Sequence, residues 1–152
     1  MNESALIVGA GSGLSASLAQ LCASRGMKVV LAARNIEKLK NLKKEIGADT
    51  IKCDATNIKS VKNLFNKTDK IIGAPNLVIY NPSKSLGGSI IDLDPKKAHE
   101  AINISCYGGF LVAQQAAIRM LKKKRGSIFF TGATASIKGF PNHLFSQWES
   151  LD

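Results

Sequence analysis

Long apolar runs, cysteines and tyrosines are all scarce in this chain, and each shortage closes off a class of protein. No apolar run approaches the about 20 residues a bilayer crossing needs. The amino end, Met1-Asn2-Glu3-Ser4, lacks the basic, apolar and small-residue order of a signal peptide. The 3 cysteines, Cys22, Cys53 and Cys106, are odd in number and far apart. They fit neither a disulfide framework nor metal-ligand spacing, and are expected to be small buried hydrophobes in a reducing compartment. A cytoplasmic protein without membrane contact or bound metal is the expectation. Only 2 tyrosines are present, and none follows Tyr107.

Acidic residues are also short, 11 against 21 lysines and arginines, for a net charge of +10. Such an excess raises nucleic acid as a partner. Yet lysines such as Lys38, Lys43, Lys62, Lys70 and Lys97 are spread over several helical patterns rather than gathered in one stripe. The run Lys122-Lys123-Lys124-Arg125 closes a long helix, where cations offset the helix dipole. Aromatic residues do not interleave with the lysines, as a base-stacking surface requires. Solvated helix faces account for most of the charge, and nucleic acid ranks low among the partners.

What the chain does have is glycine in one telling place. Leu6-Ile7-Val8-Gly9-Ala10-Gly11-Ser12-Gly13-Leu14 joins a short apolar run to a helical pattern. A strand that ends in glycines and opens straight into a helix leaves backbone N–H groups unpaired and pointing outward. Without side chains, the glycines let a pyrophosphate approach those donors at the positive end of the helix. The same spacing also suits a plain tight turn. Its position at the head of an alternating strand–helix pattern favours the phosphate reading. Gly9, Ser12, Gly13 and Leu14 are therefore predicted to hold a dinucleotide cofactor, with the Ser12 hydroxyl in reach of a phosphate.

Strand and helix alternate through the rest of the chain. Strands are predicted at Ala5–Val8, Lys28–Ala33, Thr50–Cys53, Leu77–Tyr80 and Ser127–Thr131. Leu14, Leu18, Leu21 and Cys22 give helical spacing after the glycines, as do Ile36, Leu39, Leu42 and Ile46, and then Ile58, Val61, Leu64 and Phe65. A Ser-, Gly- and Pro-containing loop from Asn81 to Asp94 leads to a helix start at Asp94-Pro95. The helical pattern then runs to Lys124 and is expected to break at Gly108-Gly109. Apolar strands separated by amphipathic helices imply one α/β domain over 1–152. Its doubly wound, Rossmann-like parallel sheet would have five strands in the order 3-2-1-4-5, with 132–152 as an irregular tail.

Arg34 directly follows the second strand, in Leu31-Ala32-Ala33-Arg34. In dinucleotide folds this strand end meets the adenosine ribose, and a carboxylate there favours NAD. A guanidinium pairs instead with a 2′-phosphate, so NADP is the predicted cofactor and NAD the alternative.

These residues together resemble the N-terminal three-fifths of the short-chain dehydrogenase/reductase family, over nearly the whole chain. The family's Gly-x-x-x-Gly-x-Gly loop is matched by Gly9 and Gly13, with Ser15 at the third position. Asp54-Ala55 resembles the step after the third strand whose carboxylate receives the adenine amino group. Asn81, in Tyr80-Asn81-Pro82-Ser83, stands where the family places an Asn that lines the cofactor and supports the central sheet. Pro82 and Ser83 depart from the usual small residues.

The resemblance implies carbonyl or alcohol oxidoreduction by hydride transfer, with a Tyr exchanging the proton, a Lys lowering its pKa, a Ser placing substrate and an Asn supporting a relay. By spacing, the Asn position falls on Ser105, with Asn103 two residues earlier on another side of the helix. The Ser position falls on Ala133, with Thr131, Thr134 and Ser136 nearby. The Tyr falls near Phe145 or Ser146 and the Lys near Glu149 or Ser150. No lysine follows Lys138, and His143 is a lone histidine in the tail. No catalytic residue is assigned. The expectation is a family member truncated before the Tyr-x-x-x-Lys segment and inactive as it stands. It would self-associate through an exposed fifth-strand edge. A non-catalytic dinucleotide module completed by a partner is the alternative, and a basic RNA-binding protein ranks last.

Overall fold

The computed structural model describes residues 3–132. Strand β1 (Ser4–Val8) lies at the centre, flanked by β2 (Lys28–Ala33) and β4 (Leu77–Tyr80). Strand β3 (Asp49–Lys52) pairs outside β2, and β5 (Ser127–Phe130) outside β4. All pairs are parallel, in the order β3-β2-β1-β4-β5. Register brings Val8 opposite both Ala32 and Tyr80, and Tyr80 opposite Phe130. The central strands therefore end together at one edge of the sheet. There, between β1 and β4, the strand order reverses, and parallel α/β sheets open a crevice at such a place.

The helices cover both faces because the strands are apolar on both. With a side-chain period of two, Leu6, Val8, Val30, Ala32, Val78 and Tyr80 point to one core. There they meet α3 (Ile58–Ile72) and α5 (Gly108–Lys123) through Val61, Leu64, Phe65, Val112 and Ala116. Ala5, Ile7, Val29, Leu31 and Ile79 point to the other core, against α1 (Leu14–Ser24) and the segment leading through a 3₁₀ turn (Ile36–Leu39) into α2 (Lys40–Ile46). A helix α4 (Pro95–Ile102), with Asp94 as its cap and Pro95 at its start, completes the set.

Three expectations are corrected. Helix α1 forms as predicted, but Leu14 and Leu21 are 55% and 53% exposed, and Ser15, Ala19 and Cys22 face the sheet. Small residues let the helix lie close to β1, and the bulkier leucines are turned outward. Nor do Gly108 and Gly109 break the helical path, since they are the first two residues of α5 and follow a π-turn without a gap. The irregularity comes before them, as a π-turn over Asn103–Tyr107. Cys22 and Cys53 are buried as expected, whereas Cys106, on that π-turn, is exposed.

Helices α3 and α5 are joined by Arg119, a pairing that sequence spacing did not reveal. Its Nε donates to both Asp69 carboxylate oxygens at 2.8 and 3.0 Å, and the guanidinium lies 5.0 Å from the Phe65 ring centre. The chain end of α5 follows expectation: Lys122 and Lys123 occupy its last turn, and Lys123 Nζ donates to the Ala74 carbonyl at 2.8 Å. Strand β5 leaves Phe129 57% and Phe130 43% exposed. Beyond Gly132, the predicted tail with Ala133, Thr134, Ser136 and His143 lies outside the described residues.

Candidate functional site

At the carboxyl edge of the sheet an open groove of about 720 Å³ passes over the β1–α1 turn. One end is lined by Ala33, Arg34, Asn35 and Lys38, and the wall beyond by Cys53, Asp54, Ala55 and Thr56. Val8 to Ser12 form its floor. Asn81, Pro82 and Ser83 stand on the β4 side, with Glu100, Asn103 and Ile104 from the helical segment opposite. The size suits a cofactor-scale ligand. Six of the eight predicted cofactor residues thus share one groove: Gly9, Ser12, Arg34, Asp54, Ala55 and Asn81. Gly13 and Leu14 lie just outside its lining. Gly13 caps α1, and Leu14 is the helix's first residue.

The turn is built by close contacts on one glycine and open space at two others. Gly9 has φ +80°, and a Cβ there would lie 2.5 Å from the Pro82 nitrogen and 2.7 Å from its Cδ. Its N–H and that of Ala10 both donate to the Ala32 carbonyl, at 2.9 and 3.0 Å, tying the turn to β2. At Gly11 and Gly13 a Cβ would meet nothing within 4 Å. Their missing side chains leave a cradle open to an incoming group, as a pyrophosphate above a helix N-terminus requires.

Ser15 stands at the third position of the glycine motif, where the family resemblance gives it no role. Instead it is a junction. The side chain is 1% exposed, and its Oγ donates to the Gly9 carbonyl at 3.0 Å. The Asn81 Nδ2 in turn donates to that Oγ at 2.6 Å. The Asn81 backbone N–H donates to the Val8 carbonyl at 2.9 Å, so this residue supports the sheet as expected. The glycine turn and the end of β4 are thereby locked together, and a hydroxyl in place of the third glycine was the signal for it.

Arg34 is exposed and follows β2 directly. Among the described residues it makes no ion pair. Asp54 forms a local turn, its Oδ1 accepting from the Thr56 N–H at 3.0 Å and hydroxyl at 2.8 Å. The Asp54 N–H donates to Ser60 Oγ at 2.9 Å. Glu100 is paired with Lys84 at 2.5 Å. Burial pushes the Cys53 thiol pKa up, as does the nearby Asp54 charge, against a lowering hydrogen bond from Ser60.

The candidate catalytic-region residues Asn103 and Thr131 lie among the described residues. Asn103, expected on another side of the helix from the Ser105 position, lines the groove. The π-turn accounts for this by adding a residue to the helical register. Thr131 is engaged elsewhere, since its N–H and hydroxyl both donate to the Tyr80 carbonyl, at 3.1 and 3.3 Å. Tyr80, which spacing did not single out for chemistry, is 3% exposed and donates its hydroxyl to the Ile104 carbonyl. Burial, and then the neighbouring Cys53, Asp54 and Cys106, raise its pKa far above that of an ordinary phenol.

A glycine turn at the switch point of a doubly wound parallel sheet defines a Rossmann-like protein. Comparison with known proteins narrows this. Residues 3–145 match the family described as short chain dehydrogenase. An uncharacterized oxidoreductase of Staphylococcus aureus (strain USA300) is 33% identical over 139 residues, which are 90% of this chain and 59% of that protein. A short-chain dehydrogenase of Rhodopseudomonas palustris superposes with a TM-score of 0.88 at 28% identity, over 98% of this chain and 72% of that one. A variant actinorhodin polyketide ketoreductase, solved with NADPH, shares the fold with a TM-score of 0.93 at 23% identity, over 97% of this chain and 59% of that one. The chain belongs to the short-chain dehydrogenase family. It spans 59% of the length of the curated relative from Staphylococcus aureus.

Proposed function

We propose that the groove binds NADP(H), and that the 152-residue chain alone binds this cofactor without turning it over. In this reading the pyrophosphate rests over the turn from Gly9 to Leu14, and Asp54 and Ala55 meet the adenine. Arg34 takes the 2′-phosphate, and Asn81 borders the nicotinamide half. The observation that carries it is the end of the groove after β2: Arg34 and Lys38 line it together with Ala33 and Asn35, and no carboxylate stands among those four. Two cations there favour a phosphate over a free ribose hydroxyl pair.

Such a cofactor supplies a hydride, and in the family that hydride reduces a carbonyl or is taken from an alcohol. The family's proton-handling Tyr and Lys have no counterparts at the expected positions of this sequence. No tyrosine follows Tyr107 and no lysine follows Lys138. Tyr80 is no substitute, because its hydroxyl is already donated to a backbone carbonyl and burial raises its pKa. A useful acid needs a pKa near the working pH.

Fluorescence titration of the purified chain with NADPH and NADH tests the reading. NADPH is expected to bind more tightly. Arg34→Asp should weaken NADPH by about 10- to 100-fold, the value of one or two charge-assisted hydrogen bonds, and tighten NADH, whose free ribose hydroxyls a carboxylate accepts. Equal affinities that Arg34→Asp does not alter would remove the NADP assignment. Steady-state reduction of a small carbonyl that survives repeated purification would remove the claim of no turnover.

A further inference from the structure

Tyr80 ends β4 between Val8 and Phe130 in the sheet register. Its hydroxyl leaves the sheet and donates to the Ile104 carbonyl, inside the π-turn Asn103–Tyr107. In an α-turn the Gly108 N–H would take that carbonyl, four residues back. Here Gly108 donates to the Asn103 carbonyl instead, five residues back. The Ile104 oxygen has lost its usual helical donor, and the Tyr80 hydroxyl supplies another.

The surroundings are shaped to let the hydroxyl in. A Cβ on Gly108 would strike the Tyr80 hydroxyl and come within 3.2 Å of the Ala55 carbonyl oxygen. One on Gly109 would lie 3.3 Å from the Phe130 ring and 3.6 Å from that of Tyr80. The two glycines therefore serve to admit the tyrosine, which explains their place where the π-turn passes into α5.

The extra residue has a consequence for the groove. It turns everything before it by about 100° relative to α5, one residue's worth of helix. Ile104 takes the azimuth Ser105 would hold in an unbroken α-helix. The face presented to the groove becomes Glu100, Asn103 and Ile104, an i, i+3, i+4 stripe. This wall stands beside Ala55. Glu100 is neutralised by Lys84, so the stripe offers an apolar side chain and a primary amide. An amide that both donates and accepts matches the amino group and ring nitrogen on one edge of adenine.

We infer that Tyr80 is a positioning residue of the groove: by taking the Ile104 carbonyl it holds the π-turn that aims Asn103 and Ile104 at the adenine of a bound dinucleotide. The ligand named here rests on the cofactor reading above. Tyr80 does not touch the ligand and acts only through the helix.

The test uses the whole chain, with adenosine 2′,5′-bisphosphate as probe. In the unaltered protein, NMR contacts between the Asn103 Hα and the Gly108 amide should report the π-turn directly. Tyr80→Phe should abolish those contacts, shift the Ile104 carbonyl carbon resonance, and weaken the probe by about 10-fold, the scale of one hydrogen bond. Asn103→Ala should weaken it similarly in the unaltered chain and add almost nothing in the Tyr80→Phe background. A merely structural tyrosine would give additive losses. Gly108→Ala, which displaces the hydroxyl from the helix side, should reproduce the pattern if Tyr80→Phe does not fold. An α-helical segment in the unaltered chain, or additive losses, overturns the role of Tyr80 alone. A chain that shows the π-turn but binds neither the probe nor NADPH ends the cofactor reading, and the ligand named here with it.

Discussion

Gly9 and Gly11 are two residues apart, and the protein asks different things of them. Gly9 combines a left-handed φ of +80° with a Cβ position 2.5 Å from the Pro82 nitrogen. An alanine there meets a conformational penalty of about 1–2 kcal/mol and a backbone collision besides. Gly9→Ala is expected to destabilise the fold by about 2–4 kcal/mol in urea denaturation, a large share of a typical domain's stability. Gly11 has open space at its Cβ position and no such φ. Gly11→Ala should leave the unfolding free energy in urea within about 0.5 kcal/mol of the parent, and weaken NADPH by crowding the cradle. The motif spacing marks Gly9 and leaves Gly11 unassigned, but it does not show the demand on Gly9, which comes from Pro82, more than seventy positions away in the sequence.

The β1–α1 unit depends on a contact of the same kind. Ser15 sits on α1, accepts from Asn81 beyond β4 and donates to the Gly9 carbonyl. Ser15→Ala leaves a buried carbonyl and an amide each short of a partner, and is expected to cost about 1–3 kcal/mol. Thermal or urea unfolding reads the loss, and a neutral result would show that water replaces the hydroxyl. Most elements were legible from periodicity. The strands came within a residue or so of their observed ends, since an apolar run bounded by glycine or a cap has few alternatives. The side of α1 that packs was misread. Leu14 and Leu21 looked like core by hydrophobicity, but the distance from helix to sheet favours Ser15, Ala19 and Cys22. The π-turn was illegible, because it needs a donor from another strand.

At the scale of the molecule, burial holds three acidic protons among the described residues more tightly in the folded state. The pKa of Tyr80 is raised above 10.0 mainly by desolvation, and those of Cys22 and Cys53 above 9.0. A raised folded-state pKa gives stability that is fully present below the unfolded value and is lost as pH rises through the folded one. The urea midpoint should therefore be flat with respect to these groups from neutral pH to about 8.5, and fall above it as thiols and then the phenol ionise in the unfolded chain. Tyr80→Phe should remove the part of that decline that begins near pH 10. An equally steep decline in the variant would mean the phenol is not the group responsible.

The strands and helices themselves, the glycine turn and the arginine after β2 were all decided locally. A period of two or 3.6 and a missing side chain act on near neighbours, and these are what a sequence displays. The junction at Ser15, the demand of Pro82 on Gly9, the Arg119 bridge and the turning of Asn103 into the groove came only with the assembled sheet. Each joins atoms that are far apart along the chain, and packing β4 and α5 beside β1 is what brings them within bonding distance.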